Sequence, residues 1–574
     1  MRAIRLCSLG LALLLPLASG AWAAPLAAGG GYVAPLEASA GLTSGFGEFR
    51  NGHFHAGLDY STDQVEGKPV RAILDGWVER VRASGVGYGR AIYLRLADGR
   101  TAVYGHLSRF APALDAYVAA RQESAGVYEQ DLYPQAGEIA FRRGDLIAWS
   151  GQSGAGPPHL HFELRQGDVN LNPLLKGFAL PDSVPPALAA ARLTHAEGLR
   201  PAEVSVTALH PGGAAVSAPV RSPFTISLKT WDTASGRPNR LATWRLEAML
   251  DGRPAFDAVL DSISWDDAVE VECVYDYART LAGQDDWRTL ELLSTYHAGV
   301  IRRGPAVWAL TPGTHRFVFT ATDEAGHRTT RALDVPVLAS DSVSGAGRDT
   351  AGVARGVPAA ACTLSVVAPG LLAQCAIPSG ALFAPELLSY APGGPAPPAA
   401  GLEPLSGAID FGPHDVVLRT AARFSGRFSG EASAALFPRG LFLRQERAWS
   451  LVGALDSLGR FDGSSRRLGA VAVFADTTRP TIVPPTSYRW PARKSGANLP
   501  AVSAAIKDRG AGLSAREQSI FVDGRRVPAE YDSEAGRLTW RPRAGLAPGR
   551  HSVRIEAVDR LGNRAVATVP LEVE

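Results

Sequence analysis

The stretch Asn51-Gly-His-Phe-His-Ala-Gly-Leu-Asp59 carries two histidines and an aspartate close together. Two further short stretches share this chemistry, Gly105-His106-Leu107 and His159-Leu-His-Phe-Glu163. With His53 and Glu163 set aside, the three stretches supply four imidazoles and one carboxylate. A catalytic zinc site needs three N or O ligands, an open position, and further polar groups for the charge that develops during reaction. The three stretches therefore predict a metal site.

The third stretch has the alternation of a half-buried β-strand. Successive side chains of a strand point to opposite faces, so His159 and His161 are predicted to share one face. The residues that alternate with them are apolar and are predicted to enter the core: Leu160, Phe162 and Leu164.

A bend is predicted between His55 and Asp59. In an extended chain these residues would lie ~13 Å apart, which is too far for both side chains to reach one ion. We expect the bend at Gly57, where the backbone bends at least cost.

Five motifs occur in a fixed order along the chain. They are His55-x-Gly-x-Asp59, Gly67-Lys-Pro-Val70, Tyr104-Gly-His-Leu107, Gly151-x-Ser-Gly and Pro158-His-Leu-His-Phe-Glu163. This set resembles the lysostaphin/LytM-type zinc endopeptidases, over residues 40–175 of the chain. One short motif alone would be a weak signal, whereas the ordered set is specific. The resemblance implies an antiparallel β fold and cleavage of peptide cross-links in bacterial peptidoglycan.

The resemblance also implies roles for five residues. Matched position by position, the zinc ligands fall on His55, Asp59 and His161. Two catalytic histidines that do not bind the metal fall on His106 and His159. Zn²⁺ is therefore the expected cofactor, and it would activate a water and polarise the scissile carbonyl. The two remaining histidines are expected to orient or deprotonate that water and to stabilise the oxyanion.

Two nearby polar residues stand outside this expected set. His53 could compete for the metal, but it does not occupy the His-x-Gly-x-Asp position. Glu163 has the chemistry of a general base, but no His-Glu-x-x-His pattern is present to place it on a helix. We predict that His53 is an ordinary polar residue and that Glu163 is solvated at a strand end.

Length and composition indicate a folded protein with several domains. The chain has 574 residues, and single cores stop growing near ~250–300 residues. Its 46% hydrophobic and 20% charged residues are ordinary for globular proteins. Arg2 and Arg5 account for the formal charge of +2, so the remaining chain is near neutral. This balance predicts no nucleic-acid partner and no electrostatic attraction to an anionic membrane.

The N-terminus has the pattern of a secretion signal. Arg2 and Arg5 precede an apolar run at 6–17 and the cleavage pattern Ala21-Trp-Ala23. We predict cleavage after Ala23 and a mature protein that is secreted or periplasmic, at the cell envelope. The apolar run is too short to span a bilayer, and no later stretch predicts a transmembrane segment.

Three cysteines follow the predicted signal: Cys273, Cys362 and Cys375. In an oxidising compartment Cys362 and Cys375 are the pair that could form a bridge, across a turn that contains Pro369-Gly370. Cys273 is then predicted to be a buried apolar residue. A cysteine metal site is excluded because the sequence has no Cys-x-x-Cys pair.

Residues 111–140 interrupt the resemblance, because the family commonly has a short link between Leu107 and Gly144. Within this insertion Ala113–Gln122 has the spacing of a helix. Insertions in loops are usually surface decorations. This one begins soon after His106, so a wall of the substrate cleft is the alternative, and the sequence favours neither.

From residue 184 onward the sequence consists of short alternating runs punctuated by Gly and Pro, which is typical of β-sandwiches. An internal repeat supports this prediction. Leu310–Arg328 parallels Leu546–Arg564, each with a Pro-Gly turn, an alternating strand and an Asp-x-x-Gly turn. The repeat resembles the last hairpin of bacterial immunoglobulin-like modules. His315 and His551, at the start of each repeated strand, are predicted to be structural.

The predicted fold class is mainly β, with an antiparallel LytM-type peptidase domain followed by β-sandwich modules. The predicted segments are 1–23 (signal peptide), 24–183 (zinc metallopeptidase domain with the insertion at 111–140), 184–340 (Ig-like β-sandwich), 341–356 (linker), 357–476 (β domain of uncertain type) and 478–574 (Ig-like β-sandwich). We expect residues 24–183 to cleave a small peptide without the modules, because all five matched residues lie there. The alternative is that Val184–Leu338 packs over the cleft.

The sequence thus predicts a secreted zinc-dependent endopeptidase that hydrolyses peptide bonds in peptidoglycan stem peptides or cross-bridges. Two other classes of function are considered. One is a non-catalytic wall-binding activator of another hydrolase, although relatives of that kind typically lack zinc ligands and here none is missing. The other is a surface-binding protein that acts through its β modules, for which the sequence identifies no partner.

Overall fold

The computed structural model describes residues 31–36, 41–178, 180–195, 202–233, 238–284, 286–339, 353–414, 416–430, 437–445, 448–490 and 500–574. The described chain is mainly β, as predicted. The predicted signal peptide lies outside the described residues, as does 341–352 of the predicted linker, whereas Val353–Gly356 forms a strand. Among the described residues, no helix has the length and apolar character needed to cross a membrane.

One antiparallel sheet carries four of the five residues predicted to form the site, namely Asp59, His106, His159 and His161, and His55 lies in the turn just before the strand Leu58–Ser61. Within the described residues the sheet has twelve strands. Seven of them lie side by side in this order: Leu42–Ser44, Leu58–Ser61, His159–Gln166, Thr101–Phe110, Arg90–Leu96, Gly76–Ala83 and Ala140–Phe141. The others are Pro69–Arg71, Gln130–Leu132, Leu146–Ser150, Val169–Leu171 and Ser262–Ser264. A small separate hairpin pairs Phe49–Arg50 with His53–Phe54, and a 3₁₀ turn, Pro173–Lys176, follows the sheet.

The predicted strand His159–Gln166 lies in the middle of this sheet. Its His161 is opposite Asp59 on one neighbouring strand and opposite Gly105 on the other. The apolar side chains that alternate with the histidines are fully buried, namely Leu160, Phe162 and Leu164. The alternation in the sequence therefore correctly predicts which face enters the core, and the sheet register brings the first and third motifs together.

The insertion forms the predicted helix, Pro112–Ala125, followed by the strand Gln130–Leu132 at the edge of Gly76–Ala83. Its side chains contact the C-terminal part of the chain. Tyr128 donates a hydrogen bond of 2.9 Å to Glu530. The insertion thus links the peptidase sheet to the last β module. This contact differs from both expected roles, a surface decoration and a wall of the substrate cleft.

Three further regions each consist of two sheets. Residues 187–338 contain a four-stranded sheet, made of Ala187–His195, Ala202–Ala208, Phe224–Trp231 and Trp287–Thr289, and a second sheet made of Ala214–Val216, Val220–Arg221, Arg245–Leu250, Arg253–Val259, Ile301–Arg303, Gly313–Thr322 and Arg328–Leu338. Short helical turns occur at Ala268–Glu270, Val271–Val274 and Tyr277–Leu281.

The third β region has two sheets. The first consists of Val353–Gly356, Glu386–Pro395, Leu402–Pro404, Gly407–Gly412, Arg439–Gln445, Ala448–Ala454 and Gly469–Asp476, and the second of Cys362–Ala368, Leu371–Ile377, Val417–Phe428 and Arg460–Arg467.

The last module also has two sheets. The first consists of Thr481–Val483, Val502–Lys507, Ala529–Asp532 and Arg537–Trp540, and the second of Tyr488–Trp490, Ser519–Val522, Arg525–Val527, Gly549–Val558 and Arg564–Val573. In the last module, residues of both sheets form one apolar core. This layering agrees with the predicted β modules.

The internal repeat folds as two equivalent hairpins, Gly313–Thr322 with Arg328–Leu338 and Gly549–Val558 with Arg564–Val573. The repeated histidines occupy equivalent places. His315 Nδ1 lies 2.8 Å from an Asp251 oxygen, and His551 Nδ1 lies 2.6 Å from an Asp523 oxygen. These contacts are consistent with a structural role for both histidines, each of which has a carboxylate partner on a neighbouring turn.

The expected cysteine bridge is not formed: Cys273, Cys362 and Cys375 are free thiols. Cys362 lies opposite Ile377, and Cys375 lies opposite Leu364, which is two residues after Cys362. The two cysteines are therefore diagonal neighbours in the strand pair. Cys273 is buried, as predicted, and burial raises the pKa of its thiol.

The peptidase sheet is continuous with the region that follows it. The strand Ser262–Ser264 pairs with Val169–Leu171 and so extends the sheet. Phe162 of the peptidase and Ile263 belong to one apolar core. The hydroxyl of Tyr275 donates a hydrogen bond of 2.8 Å to the carbonyl of Gly47. Residues well beyond the predicted boundary at 183 therefore support the peptidase fold.

These contacts change the result we expect from truncation. A protein of residues 24–183 loses a paired strand and apolar neighbours worth at least ~2 kcal/mol. We expect its Tm to be at least about 5 °C lower than that of residues 24–339, with lower activity on a small peptide. Thermal unfolding of the two proteins measures the difference. Equal Tm values and equal peptide cleavage would restore the expectation that residues 24–183 act independently.

Candidate metal centre

His55, Asp59 and His161 bring three donor atoms to one point. His55 Nε2 lies 3.1 Å from Asp59 Oδ1 and 3.2 Å from His161 Nδ1. His161 Nδ1 lies 2.8 Å from Asp59 Oδ1. All three side chains are buried, and they form a group that could hold a metal ion. Ligand atoms around a tetrahedral zinc are about 3.3 Å apart, so this donor set fits the ion that the sequence predicts.

The remaining ring nitrogens of the two histidines are held by acceptors. His55 Nδ1 donates to the carbonyl of Gly45 at 2.6 Å. His161 Nε2 donates to Glu163 Oε1 at 2.8 Å. A hydrogen bond at one ring nitrogen sets the tautomer and leaves the other nitrogen free to bind a metal. Both rings are therefore oriented for the donor geometry described above.

Glu163 is fully buried, so the prediction of a solvated strand-end glutamate was wrong. Besides His161, its carboxylate accepts hydrogen bonds from Tyr88 at 2.5 Å and from Arg165 at 2.6 Å. Residues two apart on a strand share a face, so the alternation that places His159 and His161 together also places Glu163 beside them. That signal was present in the sequence.

His106 has an unusual backbone conformation. Its φ of 57° lies in the left-handed region, which is uncommon for a residue other than glycine. Two hydrogen bonds hold it there: its N–H donates to Tyr88 O at 2.9 Å, and its Nδ1 donates to Ser153 O at 2.9 Å. Burial and the neighbouring His159 lower the pKa of His106 to about 3, so its ring is neutral near neutral pH.

His106 and His159 form a pair beside the three donor atoms. Their ring centroids are 4.4 Å apart. His159 Nδ1 donates to Pro157 O at 2.7 Å, and its Nε2 lies 3.6 Å from Asp59 Oδ1. The structure thus places all five predicted residues at one site. His53 is exposed and stands outside the donor group, as expected.

Gly57 permits the close approach of two strands. The chain turns between the strands His53–Phe54 and Leu58–Ser61, near the position where a bend was predicted. A Cβ atom at Gly57 would lie 2.1 Å from the carbonyl oxygen of Phe162. Glycine is therefore required here because the strand that carries His161 packs directly on this backbone.

Opposing charges control protonation at the centre. Burial disfavours charge on His161, but its hydrogen bonds to Asp59 and Glu163 outweigh burial and raise its pKa to about 9. Burial likewise disfavours ionised Glu163, but the charge of Arg165 and the bond to His161 lower its pKa to about 2. Glu163 therefore stays ionised and favours positive charge at the neighbouring imidazole.

Replacing Glu163 with Gln is expected to weaken zinc binding by about 10- to 100-fold, because loss of a carboxylate that orients a ligating histidine typically has that effect. The measurement is zinc transfer to a chromogenic chelator. Glu79→Gln is the matched control, because Glu79 also bonds an arginine of this sheet, Arg95, at 2.8 Å and is remote from the donor atoms. An unchanged zinc affinity in Glu163→Gln would exclude the orienting role.

Comparison with known proteins agrees with this geometry. Residues 53–134 match the family profile described as Peptidase family M23. Over 129 residues the chain is 32% identical to the "DD-carboxypeptidase/endopeptidase Mpg" of Neisseria meningitidis serogroup B, a match covering 22% of this chain and 24% of that protein. An "Uncharacterized metalloprotease" of Haemophilus influenzae is 34% identical over 121 residues, covering 21% of this chain and 20% of that protein. The matches thus span about a quarter or less of these relatives.

One similar solved structure is the catalytic domain of a mutant of the prophage-encoded M23 protein EnpA from Enterococcus faecalis, with 29% sequence identity. The match covers 22% of this chain and 80% of that chain, and the TM-score is 0.17. The catalytic domain of lysostaphin from Staphylococcus simulans has 29% identity, 21% and 75% coverage, and a TM-score of 0.16. The assignment rests on the sequence matches and on the residues they contain. This chain contains a domain of Peptidase family M23, homologous to the neisserial Mpg proteins.

Proposed function

We propose that this protein is a secreted zinc-dependent endopeptidase that hydrolyses peptide bonds in peptidoglycan stem peptides or cross-bridges. The observation that carries the proposal is the convergence of the donor atoms of His55, Asp59 and His161 beside the pair His106 and His159. The relatives named as peptidases support the peptide-hydrolysing class, and the description of Mpg as a DD-carboxypeptidase/endopeptidase supports a cell-wall peptide as substrate. The N-terminal signal pattern supports export.

The proposed chemistry assigns separate tasks to the five residues. His55, Asp59 and His161 would hold zinc, which when bound at such a site supplies Lewis acidity and a water of lowered pKa. His106 is neutral near neutral pH and can accept a proton from the attacking water. Once protonated, either histidine of the pair can donate a hydrogen bond to the oxyanion or a proton to the leaving amine.

The rim of the site contacts the last β module. Arg90 pairs with Glu530 at 3.1 Å, and the N–H of Gly156 donates to Glu534 at 3.0 Å. Gly156 belongs to the loop that leads to His159. A module fixed at this rim can bring a second wall contact close to the scissile bond, which raises the local substrate concentration.

The proposal is tested by incubating the purified mature protein with intact peptidoglycan and identifying the released fragments by mass spectrometry. We expect fragments with new peptide termini and unbroken glycan, and none with Asp59→Ala. Parallel samples contain a second wall hydrolase. Stimulation of that hydrolase with no fragments from the protein alone would favour a non-catalytic activator, and cleavage of glycan would exclude a peptidase acting alone.

A further inference from the structure

Three aspartates meet where the third β region joins the last module. Asp476 ends the strand Gly469–Asp476, whereas Asp508 and Asp559 belong to the last module. Each offers one carboxylate oxygen, and the three oxygens lie within 4.8 Å of one another. Asp476 and Asp559 are only 0% and 1% exposed. Three carboxylates held this closely repel one another unless a positive charge lies between them.

Backbone N–H groups bind at least one oxygen of each of these carboxylates. Asp559 Oδ1 accepts the N–H of Leu561 at 2.8 Å, and Asp508 Oδ2 accepts the N–H of Gly512 at 2.8 Å. Asp476 accepts from Ala511 N–H through Oδ2 at 2.7 Å and from Thr478 N–H through Oδ1 at 3.1 Å. The second oxygens of the other two residues, Asp508 Oδ1 and Asp559 Oδ2, are buried and have no hydrogen-bond partner among the described residues. A buried carboxylate oxygen without a partner is unfavourable, so these oxygens point to a ligand.

The electrostatics agree with this arrangement. Burial raises the pKa of Asp476 and of Asp508, and the charge of Asp559 raises both further. A divalent cation at the centre would remove this repulsion. Because all three donors are oxygens, the site suits a hard cation rather than zinc.

The first module has aspartates at positions equivalent to those of the last module. Asp182-Ser-Val-Pro-Pro186 leads into the first module as Asp476-Thr-Thr-Arg-Pro480 leads into the last. Asp323 and Asp559 occupy the equivalent Asp-x-x-Gly turns. Asp182, Asp323 and His327 form another group of donor atoms within 4.8 Å. Recurrence in both modules indicates a property of the module rather than a chance cluster.

Asp232 is the counterpart in the first module of Asp508 in the last module. It follows the strand Phe224–Trp231 as Asp508 follows Val502–Lys507. Its Oδ1 is also buried without a hydrogen-bond partner among the described residues. The first module differs in that the imidazole of His327 joins the group, so the all-oxygen site of the last module is the better site for a hard cation.

We propose that Asp476, Asp508 and Asp559 bind one Ca²⁺ ion, which ties the third β region to the last module. Ca²⁺ takes six to eight oxygen ligands, so water and backbone carbonyls complete its coordination. The ion would fix the orientation of the module whose Glu530 and Glu534 contact the rim of the peptidase site. The site is separate from the zinc centre in position and in ligand type.

The test measures Ca²⁺ binding to the full mature protein, freed of metals and reloaded with one equivalent of zinc. Equilibrium dialysis covers about 10⁻⁵ to 10⁻² M Ca²⁺, which brackets the Kd of ~10⁻⁴–10⁻³ M found for extracellular modules. The variant is Asp508→Asn with Asp559→Asn. The amides keep acceptors for the turn N–H groups, so the fold is retained. Asp456→Asn with Asp462→Asn, at two exposed positions, is the control of equal charge change.

We expect the double variant to bind one Ca²⁺ fewer than the wild type, with zinc content unchanged, and the control to bind as the wild type does. Thermal unfolding supplies a second readout. Without Ca²⁺ the double variant should be at least as stable as the wild type, because repulsion is reduced, and added Ca²⁺ should raise the Tm of the wild type and control more than that of the variant. A wild type that binds no Ca²⁺, or a variant with the same stoichiometry, would overturn the proposal.

Discussion

Asp59→Ala is expected to lose both the zinc and the peptidase activity. Asp59 Oδ1 is the donor atom that lies within 3.1 Å of His55 Nε2 and 2.8 Å of His161 Nδ1, so its removal leaves two imidazoles without the third ligand. Two neutral ligands also lack the negative charge that offsets the dication. We expect the zinc content to fall from one per chain to near zero and the cleavage rate to fall below detection.

The measurement is zinc content by elemental analysis together with cleavage of a cross-bridge peptide. Asp63→Ala is the matched control, because Asp63 lies four residues away and its carboxylate pairs with Lys68 at 2.8 Å instead of with the centre. The control should keep zinc and activity. Retention of one tightly bound zinc by Asp59→Ala would mean that the ligand set is wrong.

His106→Ala and His159→Ala are expected to keep the zinc and to lose turnover. Neither side chain is among the three converging donors. Removal of a general base or of an oxyanion donor typically reduces kcat by roughly 10²-fold or more. The expected result is therefore a normal zinc content with kcat reduced by at least that factor in each variant.

Zinc content and steady-state kinetics on the same preparations separate the two roles. His53→Ala is the control, because this exposed histidine lies near the site but outside the donor group. It should change neither quantity. Loss of zinc in His106→Ala or His159→Ala would make that residue a ligand, and an unchanged kcat would remove it from the reaction.

Local pattern in the sequence predicts the strand that carries His159 and His161 and its buried face. A period of two is a property of any strand, so alternation alone orients the side chains. The same rule applied to Glu163 places it on the histidine face. The prediction of a solvated strand-end glutamate is wrong because the strand continues to Gln166, so Glu163 lies within it on the buried histidine face.

Contacts between distant segments are the part that local pattern does not predict. Gly57 is needed because Phe162, far along the chain, brings its carbonyl within 2.1 Å of a Cβ at that position. Tyr275 supports the turn at Gly47 from outside the predicted peptidase segment. Such pairs depend on how sheets assemble, and no short-range periodicity encodes them. Motifs within residues 24–183 therefore do not reveal that this segment is supported by residues beyond 183.

The proposed zinc ligands His55, Asp59 and His161 are tested by X-ray absorption spectroscopy at the zinc edge of the purified wild-type protein. We expect only N and O atoms bound to the zinc, at Zn–N distances of about 2.0–2.1 Å. We also expect the scattering of two imidazoles, from His55 and His161, with no contribution from His106 or His159. Three or four imidazoles around the zinc, a sulfur ligand, or the absence of zinc under non-chelating conditions would exclude this ligand set.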